Sequence, residues 1–392
     1  MRSQQLDRDE GTNIRAILPN IIFSKEMNFV LKKLKSIKIF AFSLRYMRMK
    51  IQLLALLLLA TSAVSAQTGG ENAFPFLDLY YSAQDAGLGG NFITGAGDDI
   101  SMGVNNPSLL NDEMEKGASI SQALHAGGIN HGMVNYGFGL KDYGTMVGYI
   151  KYVNYGKFDR TAVNGVSEGT FSPFEMIAGA GFGRELNERL SVGAKANIIY
   201  SQLESYTSFG ASVDFAGTYH NEDKGFLATV HVKNFGYQFM SYTPSNRKPL
   251  PVDFQLAAAY KLPHAPFRIT ILAHQLNKWD ITYNDPTLQP TIDPLSGDTI
   301  PVPRAGFMEK LGNHFSYQLE INLSKTIHAR MGFDYHRRKQ LGLEQRPGAA
   351  GLSFGLGLHF SKFRLDYGFL IYSQAGFNNI LTLSTNLGKW RR

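Results

Sequence analysis

From residue 315 to residue 335 the chain alternates with a period of two. Phe315, Tyr317, Leu319, Ile321 and Leu323 take one side, and Ser316, Gln318, Glu320, Asn322 and Ser324 the other. After a two-residue break Ile327, Ala329, Met331, Phe333 and Tyr335 oppose His328, Arg330, Gly332, Asp334 and His336. Successive strand side chains point to opposite faces, so the pattern predicts a hairpin with one apolar and one strongly polar face. In a soluble sandwich the apolar face would be the core. In an outer-membrane barrel it would meet lipid and the polar face would line the lumen.

The same alternation recurs along most of the chain. It predicts about fourteen strands, at residues 117–125, 128–141, 144–154, 174–185, 190–203, 207–219, 225–236, 252–262, 267–277, 314–325, 327–338, 350–360, 363–373 and 378–388. Connections after the even-numbered strands are tight, while the long ones, at residues 155–173, 237–251, 278–313 and 339–349, all follow odd-numbered strands. A barrel with short periplasmic turns and long extracellular loops sorts its connections in this way, and a sandwich has no reason to. An even count with this phase places both mature termini at the periplasmic rim. In the longest loop Phe307, Met308, Glu309, Lys310 and Leu311 form a candidate short helix.

Residues 67–116 lack this alternation. They are rich in glycine and alanine, with Ala86-Gly87-Leu88-Gly89-Gly90, the acidic pair Asp98-Asp99, and Asn106-Pro107. Two readings stay open, a flexible terminal loop or a hatch tucked into the lumen, because irregular backbone survives at membrane depth only where protein surrounds it.

Charge becomes informative once the chain is divided. The first 66 residues hold 11 lysines and arginines against 4 acids, leaving 28 of the 39 basic and 28 of the 32 acidic residues to the remainder. The body is formally neutral, which removes the basic face that nucleic-acid binding needs. Arg48 and Lys50, an apolar run from Ile51 to Ala60, and Val64-Ser65-Ala66 read as a signal peptide over residues 47–66. Residues 1–46 then read as a mis-called upstream extension, residues 67–116 as the hatch, 117–388 as the barrel and 389–392 as a tail. With no cysteine there is neither a disulfide framework nor a thiol to lipidate.

Signs of enzyme chemistry are thin, and no cofactor or metal is expected. Ser245-Asn246-Arg247-Lys248 has S-x-x-K spacing but lies in a long loop without its partner motifs. Gly179, Gly181 and Gly183, like Gly355 and Gly357, alternate on strands and make room on the inner face. The ten histidines are scattered, and the acidic loop from Asp293 to Asp298 reads as a solvated turn. The telling residues are charged groups on the polar face: Lys195, Asp214, Lys233, Arg268, Glu320, Arg330, Asp334, Arg364 and Asp366. They predict a lumen network in which opposite charges satisfy each other, with binding or conduction as the other reading.

Several stretches resemble one known group. They are Gln67-Thr68-Gly69-Gly70-Glu71-Asn72-Ala73-Phe74-Pro75-Phe76-Leu77, Ala86-Gly87-Leu88-Gly89-Gly90, Asn106-Pro107-Ser108-Leu109-Leu110-Asn111, Tyr152-Val153-Asn154-Tyr155-Gly156-Lys157-Phe158 and Leu383-Ser384-Thr385-Asn386-Leu387. Through them the chain is similar to the PorQ-like proteins of the type IX secretion system of Bacteroidota, relatives of PorV within the FadL-like outer-membrane barrels. That resemblance implies an all-β, single transmembrane antiparallel barrel of about 14 strands with an N-terminal hatch, working without catalysis. Its hatch residues would be Ala86, Gly87, Leu88, Gly89, Gly90, Asn106 and Pro107. The implied partners, besides outer-membrane lipid, are a surface PorZ-like protein, a PorU-like sortase and a PorV-like barrel, which this barrel would anchor for secretion and surface attachment of cargo proteins. The alternative is a FadL-like channel for hydrophobic compounds. Two departures stand out: Ser108 follows Asn106-Pro107 where alanine is commoner, and the chain ends in Trp390-Arg391-Arg392 instead of phenylalanine.

Overall fold

The computed structural model describes residues 72–125, 128–141, 143–244, 246–282, 289–292, 295–302, 304–342, 348–373 and 376–390. The expected leader and upstream extension, Ser245 of the S-x-x-K tetrad, and Asp293 lie outside the described residues.

The described residues form eighteen strands: β1 Gly117–His125, β2 Asn130–Leu140, β3 Gly144–Asn154, β4 Phe158–Thr161, β5 Ser167–Phe171, β6 Phe174–Asn187, β7 Leu190–Leu203, β8 Tyr206–Asn221 and β9 Phe226–Met240, followed by β10 Asp253–Lys261, β11 Phe267–Ala273, β12 Thr291–Ile292, β13 Thr299–Ile300, β14 Phe315–Asn322, β15 Ile327–Asp334, β16 Leu352–His359, β17 Phe363–Ser373 and β18 Gly376–Asn386. Fourteen of them close into one antiparallel barrel, with β1 pairing β18. The hairpins β4–β5 and β12–β13 stand apart within long connections.

The wall strands run with period two and an apolar outward side, interrupted by register shifts, as where β8 meets β9. Ile120, Val134, Ile198, Val230, Ile269, Tyr317, Met331 and Leu381 are exposed, whereas Ser119, Asn135, Asn197, Thr229, Arg268, Ser316, Arg330 and Thr382 are buried. A belt of outward apolar side chains over inward polar ones is the signature of a membrane-spanning barrel, and the molecule is an outer-membrane barrel. The walls differ in length. β6, β7, β8 and β9 run 14, 14, 16 and 15 residues, while β10, β11, β14, β15 and β16 run 9, 7, 8, 8 and 8.

Two expectations are corrected. The eleventh wall strand stops at Asp334, and Tyr335–Leu341 forms a helix whose first turn is capped when Asp334 Oδ1 accepts the Arg337 N–H at 3.0 Å. Asp334 therefore caps an outer helix and does not join a lumen pair across strands. The second correction concerns the first described residues, since the expected mature terminus at Gln67 lies outside them. Ala73 N–H donates to Pro249 O, in a long loop, at 2.8 Å, and Phe74 packs beside Gly210 near the outer end of β8. Residues 72–116 thus enter at the long-loop rim and descend to β1 at the short-turn rim. Strand phase places the start of β1; the irregular segment before it carries no such constraint.

Candidate functional site

The interior of the barrel is the site, and residues 72–116 fill it. Short helices Ala83–Gly87 and Ile100–Asn105 are capped by Ser82 and Asp99, each accepting a backbone N–H. Helix Ala83–Gly87 lies on β16, β17 and β18, and glycines of β15, β16 and β17 make room for it and the turn that follows. A Cβ on Gly87 would stand 2.8 Å from Gly355 Cα, and Cβ atoms on Gly332 and Gly368 would collide with the backbone of Leu88 and Ala83. Gly89 and Gly90 both take positive φ, at 84° and 89°, so the turn after this helix requires them. Leu88 and Ala86 are fully buried.

Asn106 and Pro107 sit against the opposite wall. Gly183 and Gly193 again leave room, since a Cβ on either would strike Pro107. Asn106 Nδ2 donates to Ile93 O at 2.7 Å, and its Oδ1 accepts from Ser108 N at 2.9 Å and Ser108 Oγ at 2.7 Å. Ser108 Oγ is also 2.7 Å from Thr218 Oγ1, which is 2.9 Å from Thr229 Oγ1. The serine in the commoner alanine's place therefore ties this turn to β8 and β9.

The expected charges form local pairs instead of one network. Lys195 donates to Asp214 Oδ2 at 3.0 Å and to Val104 O at 2.6 Å, so the cation also meets the C-terminal carbonyls of helix Ile100–Asn105. Arg268 and Glu320 are cross-strand neighbours 3.4 Å apart. Arg330 on β15 reaches over β16 to Asp366 on β17 at 2.5 Å, through space that Gly357 leaves open. Lys233 and Arg364 find their acids on the inner segment, Asp78 at 3.3 Å and Asp98 respectively.

Sequence reading missed several participants. Lys151, inward by the same alternation as Val147 and Tyr149, places its ammonium 4.9 Å from the Tyr81 ring centroid and 5.5 Å from that of Tyr149. Glu175 accepts hydroxyl hydrogens from Ser201 at 2.6 Å and Tyr155 at 2.5 Å. Arg337, from the outer helix, bonds Tyr80 and donates to Gly89 O at 3.3 Å. The period-two count exposes Lys151 and Glu175, but nothing local marks Arg337.

The inner wall has two characters. Along β2, β3, β6 and β7 it carries Met133, Val147, Tyr149, Val153, Ile177 and Ile199, packed with Phe74, Phe76, Leu77, Leu88 and Phe92 of the inner segment in one apolar cluster. Elsewhere it is polar. Two cavities of about 640 and about 550 Å³ open at the short-turn rim; both include Ala96, Gly97 and Arg268 in their linings, together with many charged side chains. Among the described residues no group of histidines and carboxylates is arranged to hold a metal ion.

At the opposite rim, in the connection between β11 and β14, the His314 ring nitrogens lie 2.9 Å from His274 O and 3.1 Å from Trp279 O. Helix Phe307–Gly312 is joined to Asp280 through Lys310 at 2.6 Å and to helix Tyr335–Leu341 through Glu309 and Lys339 at 2.8 Å. Trp279 packs on Phe307 with centroids 5.4 Å apart, and Trp279, Phe307 and Met308 remain 53%, 63% and 77% exposed.

No protein-family model matches the chain, and no curated protein matches it. Among solved structures it is similar to the Pseudomonas putida toluene transporter TodX, at 12% identity over 78% of this chain and 98% of that one, with a TM-score of 0.49. It is also similar to the Ralstonia pickettii toluene transporter TbuX, at 12% identity over 80% and 100% of the two chains and a TM-score of 0.42. A Pseudomonas aeruginosa FadL homologue aligns at 10% identity over 78% and 98%, with a TM-score of 0.39.

Proposed function

We propose that this protein is a non-catalytic, plugged outer-membrane barrel that anchors cell-surface machinery through its long-loop rim. The observation that carries the reading is the contrast between the two ends of the molecule. Above the two inner-rim cavities the lumen is occupied by packed side chains and ion pairs, while the outer rim presents a folded platform with Trp279, Phe307 and Met308 uncovered. Aromatic and methionine side chains within a ring of ion pairs are the composition of protein interfaces. The sequence resemblance gives that platform its expected partners, the PorZ-like, PorU-like and PorV-like proteins of type IX secretion. Replacing residues 275–312 by a short glycine-serine turn tests the idea. The expected result is a barrel still inserted in the outer membrane with cargo no longer attached at the surface; attachment at the original level refutes it.

A second reading is passage of small hydrophobic compounds, the role for which the similar toluene transporters TodX and TbuX are named. Within the chain it is favoured by the apolar strip on β2, β3, β6 and β7, which the inner segment covers with its own aromatic residues. Toluene uptake into liposomes holding the purified barrel, above that of empty liposomes, decides for it.

A further inference from the structure

The inner segment is held at the short-turn rim by the last residues of the chain. Asp98 ends an exposed loop whose Gly97 has φ of 122° and no atom within 4 Å of where a Cβ would stand. Ala96 and Gly97 line both rim cavities, so this loop is the partition between them. Asp98 pairs with Arg364 of β17 and with Lys389 Nζ at 2.9 Å. Lys389 belongs to the turn Leu387–Trp390. That turn is itself fixed where Leu387 N–H donates to Lys116 O at 2.9 Å, Asn386 Nδ2 donates to Glu113 O and Glu115 O at 3.1 and 3.0 Å, and Trp390 Nε1 donates to Thr385 Oγ1 at 2.8 Å. Asn111 Nδ2 also donates to Gly97 O at 3.0 Å, and Gly95, at the base of the loop, packs against Met102 and Phe92.

We infer that residues 95–98 are a movable partition at the inner rim and that Asp98, gripped by Arg364 and Lys389, is its catch, with the C-terminal turn supplying one of the two cations. When the catch is closed, the loop stands between the cavities. With it released, Gly97 lets the exposed part of the loop swing and the two cavities merge into one beside Arg268. The consequence holds whether the barrel anchors partners or conducts small compounds.

Labelling of a single thiol in the purified full-length barrel tests this, with a small charged methanethiosulfonate as the probe. The chain has no cysteine, and Thr94→Cys sets one at a fully buried position at the base of the loop. In that background Lys389→Glu removes one grip from an exposed turn, and an ion pair of this exposure corresponds to about a fivefold rise in labelling rate. Asp98→Asn, which removes both grips, raises it roughly tenfold or more. Lys389→Arg keeps the cation and stays at the original level. Heat-modifiable migration in electrophoresis establishes that each variant is a closed barrel, and a destabilised Asp98→Asn leaves the Lys389 pair to decide. Folded Lys389→Glu barrels that label as the original does overturn the proposal, as does a rise that Lys389→Arg produces equally.

Discussion

Ser108 Oγ stands 2.7 Å from both Asn106 Oδ1 and Thr218 Oγ1, so one oxygen joins the inner segment to the wall. Ser108→Ala removes both bonds and leaves Thr218 short of a partner; the expected loss is about 1–2 kcal/mol, read as a lower thermal midpoint in detergent. The serine was visible in the sequence as a departure from its motif, but its partner lies 110 residues away and no local pattern points to it. Gly355 is the opposite case. Alternation placed it on the inner face, and the structure adds that Gly87 Cα presses against it. Gly355→Val forces backbone against a branched side chain and costs about 1–3 kcal/mol, whereas Gly306→Ala, with nothing within 4 Å, stays near the original stability. Arg330→Met leaves the Asp366 carboxylate buried without its main partner, an expected loss of about 3–5 kcal/mol by the same thermal measurement. Adding Asp366→Leu recovers part of that loss.

Individual strands were the most legible elements, because a membrane wall imposes period two on every one of them and writes it into outward leucines and inward serines. The failure at residues 335–338 has a local cause. Tyr335 and His336 continue the alternation, but Asp334 is a good cap and Arg337, Arg338, Lys339 and Gln340 favour helix, so the chain turns once the ladder has no neighbour to extend. The outer platform depends on two ion pairs with opposite pH limits. Burial alone would raise the Asp280 carboxyl, yet the Lys310 ammonium and the Thr282 hydroxyl and N–H outweigh it and hold the group below the usual carboxylate value. That contribution is present above the unfolded carboxyl value of about 4 and is lost as pH falls through the lower folded one. The hydrogen bond to Glu309 holds Lys339 above the usual lysine value, so its contribution is complete below about pH 10 and lost as pH rises further. Amide exchange in residues 305–312 is therefore slowest, relative to intrinsic rates, in the neutral range and speeds up at both extremes. Lys310→Met weakens the acid limb, the Thr282 bonds to Asp280 remaining, and leaves the alkaline one.

For the whole molecule, the sorting of loop lengths by parity revealed the two rims before any coordinates did. The route of residues 72–116 was hidden, since a segment without periodicity carries no sense of direction. Its outer entry makes a testable topology. The chain has no cysteine, so Asn72→Cys and Glu188→Cys each create a single thiol, one beside the outer loop that holds Ala73 and one on the tight turn before β7. A membrane-impermeant maleimide added to intact cells is expected to label the first and to reach the second only after permeabilisation. Labelling of Asn72→Cys only after permeabilisation would reverse the assigned path.

The uneven strand lengths reach beyond the protein into the lipid around it. At a tilt near 40°, a strand of 8 residues rises only about 20 Å, short of the roughly 25 Å apolar band of such barrels, whereas one of 15 rises nearly 40 Å. Acyl chains must thin along the β10–β16 flank and relax on the far side, which costs fractions of a kcal/mol for each ångström of mismatch. Two low flanks brought together share one dimple instead of sustaining two, so membrane elasticity itself gives this molecule a preferred side for its neighbours.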